Sequence, residues 1–181
     1  MISFFSLFWI FFALLAVIGA TRGRTKEFIV SLSAIVGIFL NLLLETYVPF
    51  YRNLVLSTNP TSLFIMRSGV LLIVVIMGYV TPTLPQVVLR TEGMRPVSRF
   101  RNLFWGTALG ALNGYLIVGS ILFYLNSAGY PFPFMIAPDP SLPGGALTLN
   151  MINRLPPAVL TPPGIYFALV IAFVIVIGAF I

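Results

Sequence analysis

Five long apolar runs dominate this chain, and their length decides what it can fold into. A hydrocarbon layer about 30 Å thick is crossed by about 20 helical residues, each rising ~1.5 Å. The first run, Ile2 to Ala20, is uncharged throughout. The second, Phe28 to Val48, is interrupted only by Asn41 and by Glu45 near its far end. A third begins near Ser62 or Ser68 and continues to Val80, with Arg67 at one boundary and Pro82 and Pro85 at the other. The fourth extends from about Leu103 to Leu125 without a charge, and the fifth from Ile165 to Ile181, which at 17 residues is at the short limit. In lipid the backbone has no water to pair with, so a crossing segment is a helix or part of a closed barrel. These runs lack the two-residue alternation of barrel strands. The expected fold is all-α, a polytopic membrane protein with five transmembrane helices. The first run reads as a retained span rather than a cleaved signal peptide, because no Lys or Arg precedes it and it exceeds the usual apolar h-region.

Composition narrows the chemistry. Charged residues make up 8% of the chain, against roughly a quarter in soluble domains, so an ordinary cytosolic enzyme is excluded. There is no His and no Cys. The chain therefore lacks an imidazole base, a thiolate nucleophile, the usual zinc ligand set and a His ligand for haem or chlorophyll magnesium. No catalytic, cofactor-binding or metal-ligating residue stands out, and a non-enzymatic protein without its own cofactor is expected. A disulfide scaffold is excluded as well. The formal charge is +6, but the basic residues cluster between apolar runs, where lipid surfaces explain them better than nucleic acid.

Those clusters also orient the chain. Arg22, Arg24 and Lys26 lie in the first connection and Arg90, Arg95, Arg99 and Arg101 in the third; the second holds Arg52 and Arg67, and the fourth only Arg154. The positive-inside rule puts the first and third connections in the cytoplasm, the N-terminus outside and the C-terminus inside. The fourth connection, about Asn126 to Gly164, carries nine of the fourteen prolines, which favour extended and turn conformations. Within it, Ala146 to Leu155 follows Gly144-Gly145 and suits a short interfacial helix. This segment reads either as a cover over the outer ends of its own helices or as a docking surface, since Tyr130, Phe132, Phe134 and Met135 are costly to leave in water.

In the fourth run Gly106, Gly110 and Gly114 recur at four-residue spacing, flanked by Ala108 and Ala111. Such glycines share a helix face and let a second backbone approach closely. Ser33 and Gly37 on the second run are the partner groove suggested by spacing, and Asn113 is placed to hydrogen-bond between helices. In the turn Arg22-Gly23-Arg24-Thr25-Lys26-Glu27, glycine permits the chain to reverse, the cations meet lipid phosphate, and Glu27 suits the start of the next helix. A sharper reading pairs this turn with Arg90 to Arg101, with Glu27 or Glu92 as the anion. Glu45 and Arg67 are expected to pair at the outer rim. A proton relay is disfavoured because no titratable group lies deeper.

Two stretches resemble the CvpA family, the colicin V production proteins, which are small polytopic membrane proteins of bacteria. One is the helix running into Arg22-Gly23, then Lys26-Glu27, then a helix opening Phe28-Ile29-Val30-Ser31-Leu32. The other is Gly106-Thr107-Ala108-Leu109-Gly110-Ala111-Leu112-Asn113-Gly114 followed by Leu116-Ile117-Val118. Where the family carries Arg before the last of these glycines, this chain has Asn113; where it carries Asp four residues before the first, this chain has Asn102. The likeness covers residues 1–126 as a four-helix core. Residues 127–164 then form a proline-rich outer loop, and 165–181 a fifth helix that is an addition. The resemblance implies a protein of the bacterial inner membrane linked to toxin biosynthesis or export, acting by association with the bilayer, with other membrane subunits or with itself. The alternative is an accessory subunit of a larger photosynthetic or respiratory complex, encouraged by an aromatic first helix (Phe4, Phe5, Phe8, Trp9, Phe11, Phe12).

Overall fold

A computed structural model describes residues 3–57, 59–80, 99–133 and 135–180. Regular structure among them is entirely helical: α1 (Phe4–Arg22), α2 (Arg24–Tyr47), α3 (Pro49–Ser57), α4 (Pro60–Val80), α5 (Arg99–Ser127), α6 (Pro143–Ile152), α7 (Pro156–Val159) and α8 (Gly164–Phe180). Four of these, α1, α2, α4 and α5, are long and apolar enough to cross a membrane. Helix α8 is apolar but shorter, with 17 residues, so the expected count of five spans stands at four plus this shorter helix. Arg90, Arg95 and Glu92, and with them the sharper reading of the basic turn, lie outside the described residues, as does Phe134.

Local chemistry sets the helix boundaries. The Ser3 hydroxyl accepts from the Ser6 amide at 3.3 Å and caps α1. The second apolar run forms the single helix α2, which stops at its far end. Pro49 bars the helical conformation at the residue before it, Val48 is extended at φ −109°, and the chain restarts as the short helix α3. Prolines likewise open α4, α6 and α7, where a missing amide proton costs nothing.

Gly23 reverses the chain between α1 and α2 at φ +85°, a left-handed conformation that favours glycine. A side chain there would also collide with the Asn102 amide, 2.7 Å from the position its Cβ would occupy. This is the turn end of the bundle. At the opposite, loop end lie the start of α1, the join of α2 to α3, the end of α5 and the helices α6 and α7.

Helix α5 lies between α1 on one side and α2 and α4 on the other. The main core consists of Val30, Ala34 and Ile38 from α2, Leu71 and Val75 from α4, Leu116, Ile117 and Tyr124 from α5, and Ile165 from α8. A second core at the loop end joins Phe8 to Leu122, Leu125, Ile152 and Leu155. The loop aromatics belong to it. Tyr130 stacks on Phe4 with centroids 5.1 Å apart, and Phe132 meets Phe64 edge-on at 5.6 Å. Residues 127–164 thus close over the ends of α1 and α5. The Thr148 hydroxyl accepts from the Phe5 amide at 3.2 Å, and the Tyr115 hydroxyl donates to the Arg154 carbonyl at 2.6 Å.

Candidate functional site

The glycine stripe of α5 is a backbone-to-backbone seam with α1. A Cβ built on Gly110 would overlap the Leu15 carbonyl oxygen and lie 2.8 Å from the Gly19 Cα; one on Gly106 would overlap the Gly19 oxygen; one on Gly114 would meet the Phe12 Cα at 3.0 Å. The partner surface is therefore α1 through Gly19. Ser33 and Gly37 face the other way, onto α4. A Cβ on Gly78 would overlap the Ser33 hydroxyl, and one on Gly37 would meet the Leu71 side chain at 2.9 Å. Spacing alone does not say which of two neighbouring helices a small-residue pair faces.

Around the turn end of this seam Arg22 and Glu27 of the basic turn meet Asn113 and Tyr79. Glu27 is fully buried, as is Asn113. The Asn113 Nδ2 donates to Glu27 Oε2 at 2.7 Å and to the Glu27 carbonyl at 3.0 Å; a carboxylate only accepts, which fixes the amide orientation. The Ser31 hydroxyl donates to Asn113 Oδ1 at 2.6 Å. Arg22 approaches from the end of α1, its Nη1 3.3 Å from Glu27 Oε1. Its Nη2 donates to the Tyr79 carbonyl at 3.2 Å, and its guanidinium lies 4.3 Å above the Tyr79 ring centroid. One cluster thus joins α1, α2, α4 and α5.

Glu27 occupies this position because it lies three, four and seven residues before Val30, Ser31 and Ala34, on the face of α2 that is buried. It points inward rather than serving only as an anion near the helix start. The adjacent Asn102 has its own task. Its Oδ1 accepts from the Arg24 amide at 3.0 Å, satisfying one of the orphan donors of α2. Among the described residues, Lys26 makes no hydrogen bond or ion pair with the cluster.

A second cluster lies at the loop end. Arg67 grips Glu45 with both arms, Nε to Oε1 at 2.7 Å and Nη2 to Oε2 at 2.9 Å. Buried Asn41 donates to the Arg67 carbonyl at 3.0 Å and the Gly37 carbonyl at 3.3 Å, and accepts from the Tyr51 hydroxyl at 2.9 Å. Burial, reinforced by the nearby Glu45 charge, pushes the Tyr51 hydroxyl above its ordinary range, so it remains a donor at physiological pH. No sequence motif marks Tyr51, Tyr79 or Gly19 as site residues, and Asn41 is visible only as an interruption of the second apolar run. Asn41 was detectable as the lone amide on the buried face of α2, ten residues beyond Ser31.

The Glu45 and Arg67 side chains retain 28% and 18% exposure, so solvent and salt screen the pair. Arg67→Ala is expected to cost about 1 kcal/mol, less at high salt, when denaturant titrations are compared in one detergent. A loss above about 3 kcal/mol would match a dry, uncompensated carboxylate instead.

Between the two clusters Ala34, Ile38, Leu71, Val75, Leu116 and Ile117 fill the interior, and the buried Ser120 hydroxyl there donates to the Leu116 carbonyl of its own helix at 2.6 Å. The polar groups accordingly serve as two separate cross-links rather than as one continuous path. No group of three or more His, Cys, Asp or Glu residues suited to a metal occurs among the described residues. Comparisons with known protein families, with curated proteins and with solved structures find no match to this chain.

Proposed function

We propose that this chain is a non-enzymatic, multi-pass protein of the bacterial inner membrane, similar to the colicin V production proteins, that acts by packing against partner membrane proteins in export or envelope processes. The supporting observation is how the ionisable and amide side chains inside the bundle are used. Arg22, Glu27 and Asn113 at one end, and Asn41, Glu45 and Arg67 at the other, hold helices to one another. In this reading the turn end faces the cytoplasm, the N-terminus lies outside, and α8 is a fifth span that ends inside.

Helix α8 is the surface assigned to a partner. It attaches through buried Ile165 and Ala172 and the Phe39–Tyr166 ring contact, and it leaves Phe167, Val170, Ile171, Phe173 and Val174 exposed. The same exposed face supports a second reading, an accessory subunit of a larger energy-converting complex.

Solubilising the native membrane in mild detergent and identifying what comigrates tests both readings. Association predicts stable comigration with other membrane proteins, or a discrete self-assembly. Migration as a lone monomer would sink the proposal, whereas comigration with a pigment or quinone complex selects the accessory-subunit reading.

A further inference from the structure

The loop-end rim holds a cavity of about 410 Å³ where α2 gives way to α3, lined by Leu42, Glu45, Thr46, Arg52 and Val55. Its walls divide by chemistry. Leu42 and Val55 supply apolar surface. Glu45 supplies a carboxylate whose two oxygens each receive a bond from Arg67, which leaves acceptor capacity on both. The Thr46 hydroxyl gives its proton to the Leu42 carbonyl at 2.8 Å and keeps its lone pairs free to accept. Arg52 is exposed, and among the described residues its guanidinium has no hydrogen-bond or ion-pair partner.

Because Glu45 and Arg67 neutralise each other, the cavity carries one uncompensated positive charge beside an acceptor-lined wall. A free phosphate matches only the Arg52 side and meets a carboxylate on the other. A quaternary ammonium has no proton to give Glu45. A head group that joins one phosphate to one primary ammonium fits both sides, with its acyl chains free to follow half-buried Leu42. Tyr47 and Phe50 beside it are 73% and 74% exposed, the side-chain type that membrane interfaces favour.

We propose that this cavity binds a phospholipid with an ethanolamine-type head group, its phosphate on Arg52 and its ammonium on Glu45 and Thr46. The site is independent of what the rest of the bundle assembles with.

The test uses the full chain purified in mild detergent and offered phosphatidylethanolamine, phosphatidylcholine or phosphatidylglycerol, with retained lipid counted by native mass spectrometry. Phosphatidylethanolamine is expected to be retained about ten-fold over the other two. Arg52→Ala should reduce that retention about ten-fold, the loss of one charge-assisted partner, and Arg52→Lys should recover part of it. Since the Arg52 side chain holds nothing among the described residues, the thermal midpoint of both variants should match the parent. Thr46→Val, which leaves Arg52 untouched, should weaken retention of the ethanolamine lipid alone. Equal retention of the three lipids, preference for phosphatidylglycerol, displacement by inorganic phosphate, or an Arg52→Ala protein that keeps its lipid would each overturn the proposal.

Discussion

Placing a side chain at Gly19 or Gly110 is expected to separate α1 from the rest of the bundle. A Cβ on Gly19 would overlap the Gly106 oxygen and lie 2.6 Å from the Gly110 Cα, and the converse clash exists at Gly110. The obstructing atoms are backbone, which cannot rotate aside, so the helices themselves must part. Overpacking a tight core costs about 1–3 kcal/mol, and Gly19→Val, which adds bulk beyond the first clash, should lie at or above the upper end, about 3 kcal/mol. Gly69→Ala is the control. Nothing lies within 4 Å of a Cβ there, and alanine favours the helix by up to ~1 kcal/mol, so that variant should be neutral or slightly more stable. Denaturant titration together with a cysteine cross-link between α1 and α5 would read both outcomes. A Gly19→Val protein with unchanged stability and cross-linking would disprove the seam.

The second large effect concerns the buried charge pair. Arg22→Ala leaves the fully buried Glu27 carboxylate with the Asn113 amide and no cation, and removing one partner of a buried pair costs about 3–5 kcal/mol. The value should fall toward the lower end because Arg22 keeps 21% exposure and water can reach its side of the cluster. Adding Glu27→Gln removes the stranded charge. The double variant should therefore be more stable than Arg22→Ala alone, a coupling of opposite sign to two independent losses. Strict additivity in the cycle would mean that the two residues do not sense each other across their 3.3 Å contact.

These two sites show what a sequence makes legible in a membrane bundle. Length and hydropathy mark α1, α2, α4 and α5, because a lipid slab imposes one scale on every crossing helix. The glycine stripe of α5 was readable for the same kind of reason, since repetition at four residues defines a face. Its partner was not. Gly19 stands alone in α1, and the rest of that surface is the exposed backbone of Phe12 and Leu15, which no motif announces. Ser33 and Gly37 do form a close-approach pair, but their counterparts, Gly78 opposite Ser33 and Leu71 opposite Gly37, make no small-residue motif. Glu27 was ambiguous because one position satisfies two rules, an anion near a helix start and a member of the buried face. Choosing between them requires knowing that Asn113 arrives opposite. Read from sequence, the aromatics of the proline-rich loop could have covered a partner or their own chain. Rings on Phe4 and Phe64 decide that for Tyr130 and Phe132, through contacts with distant segments that local periodicity does not contain.

The bond from the Phe5 amide to Thr148 spans 143 residues of chain, and this carries a consequence for biogenesis. At about 5–20 residues per second, the ribosome delivers that acceptor roughly 7–30 s after the donor has left it. Until α5 follows it the first helix has its glycine surface bare, and throughout the interval its leading amide stays unsealed. The bond that closes the start of α1 thus forms only after α5 has been made.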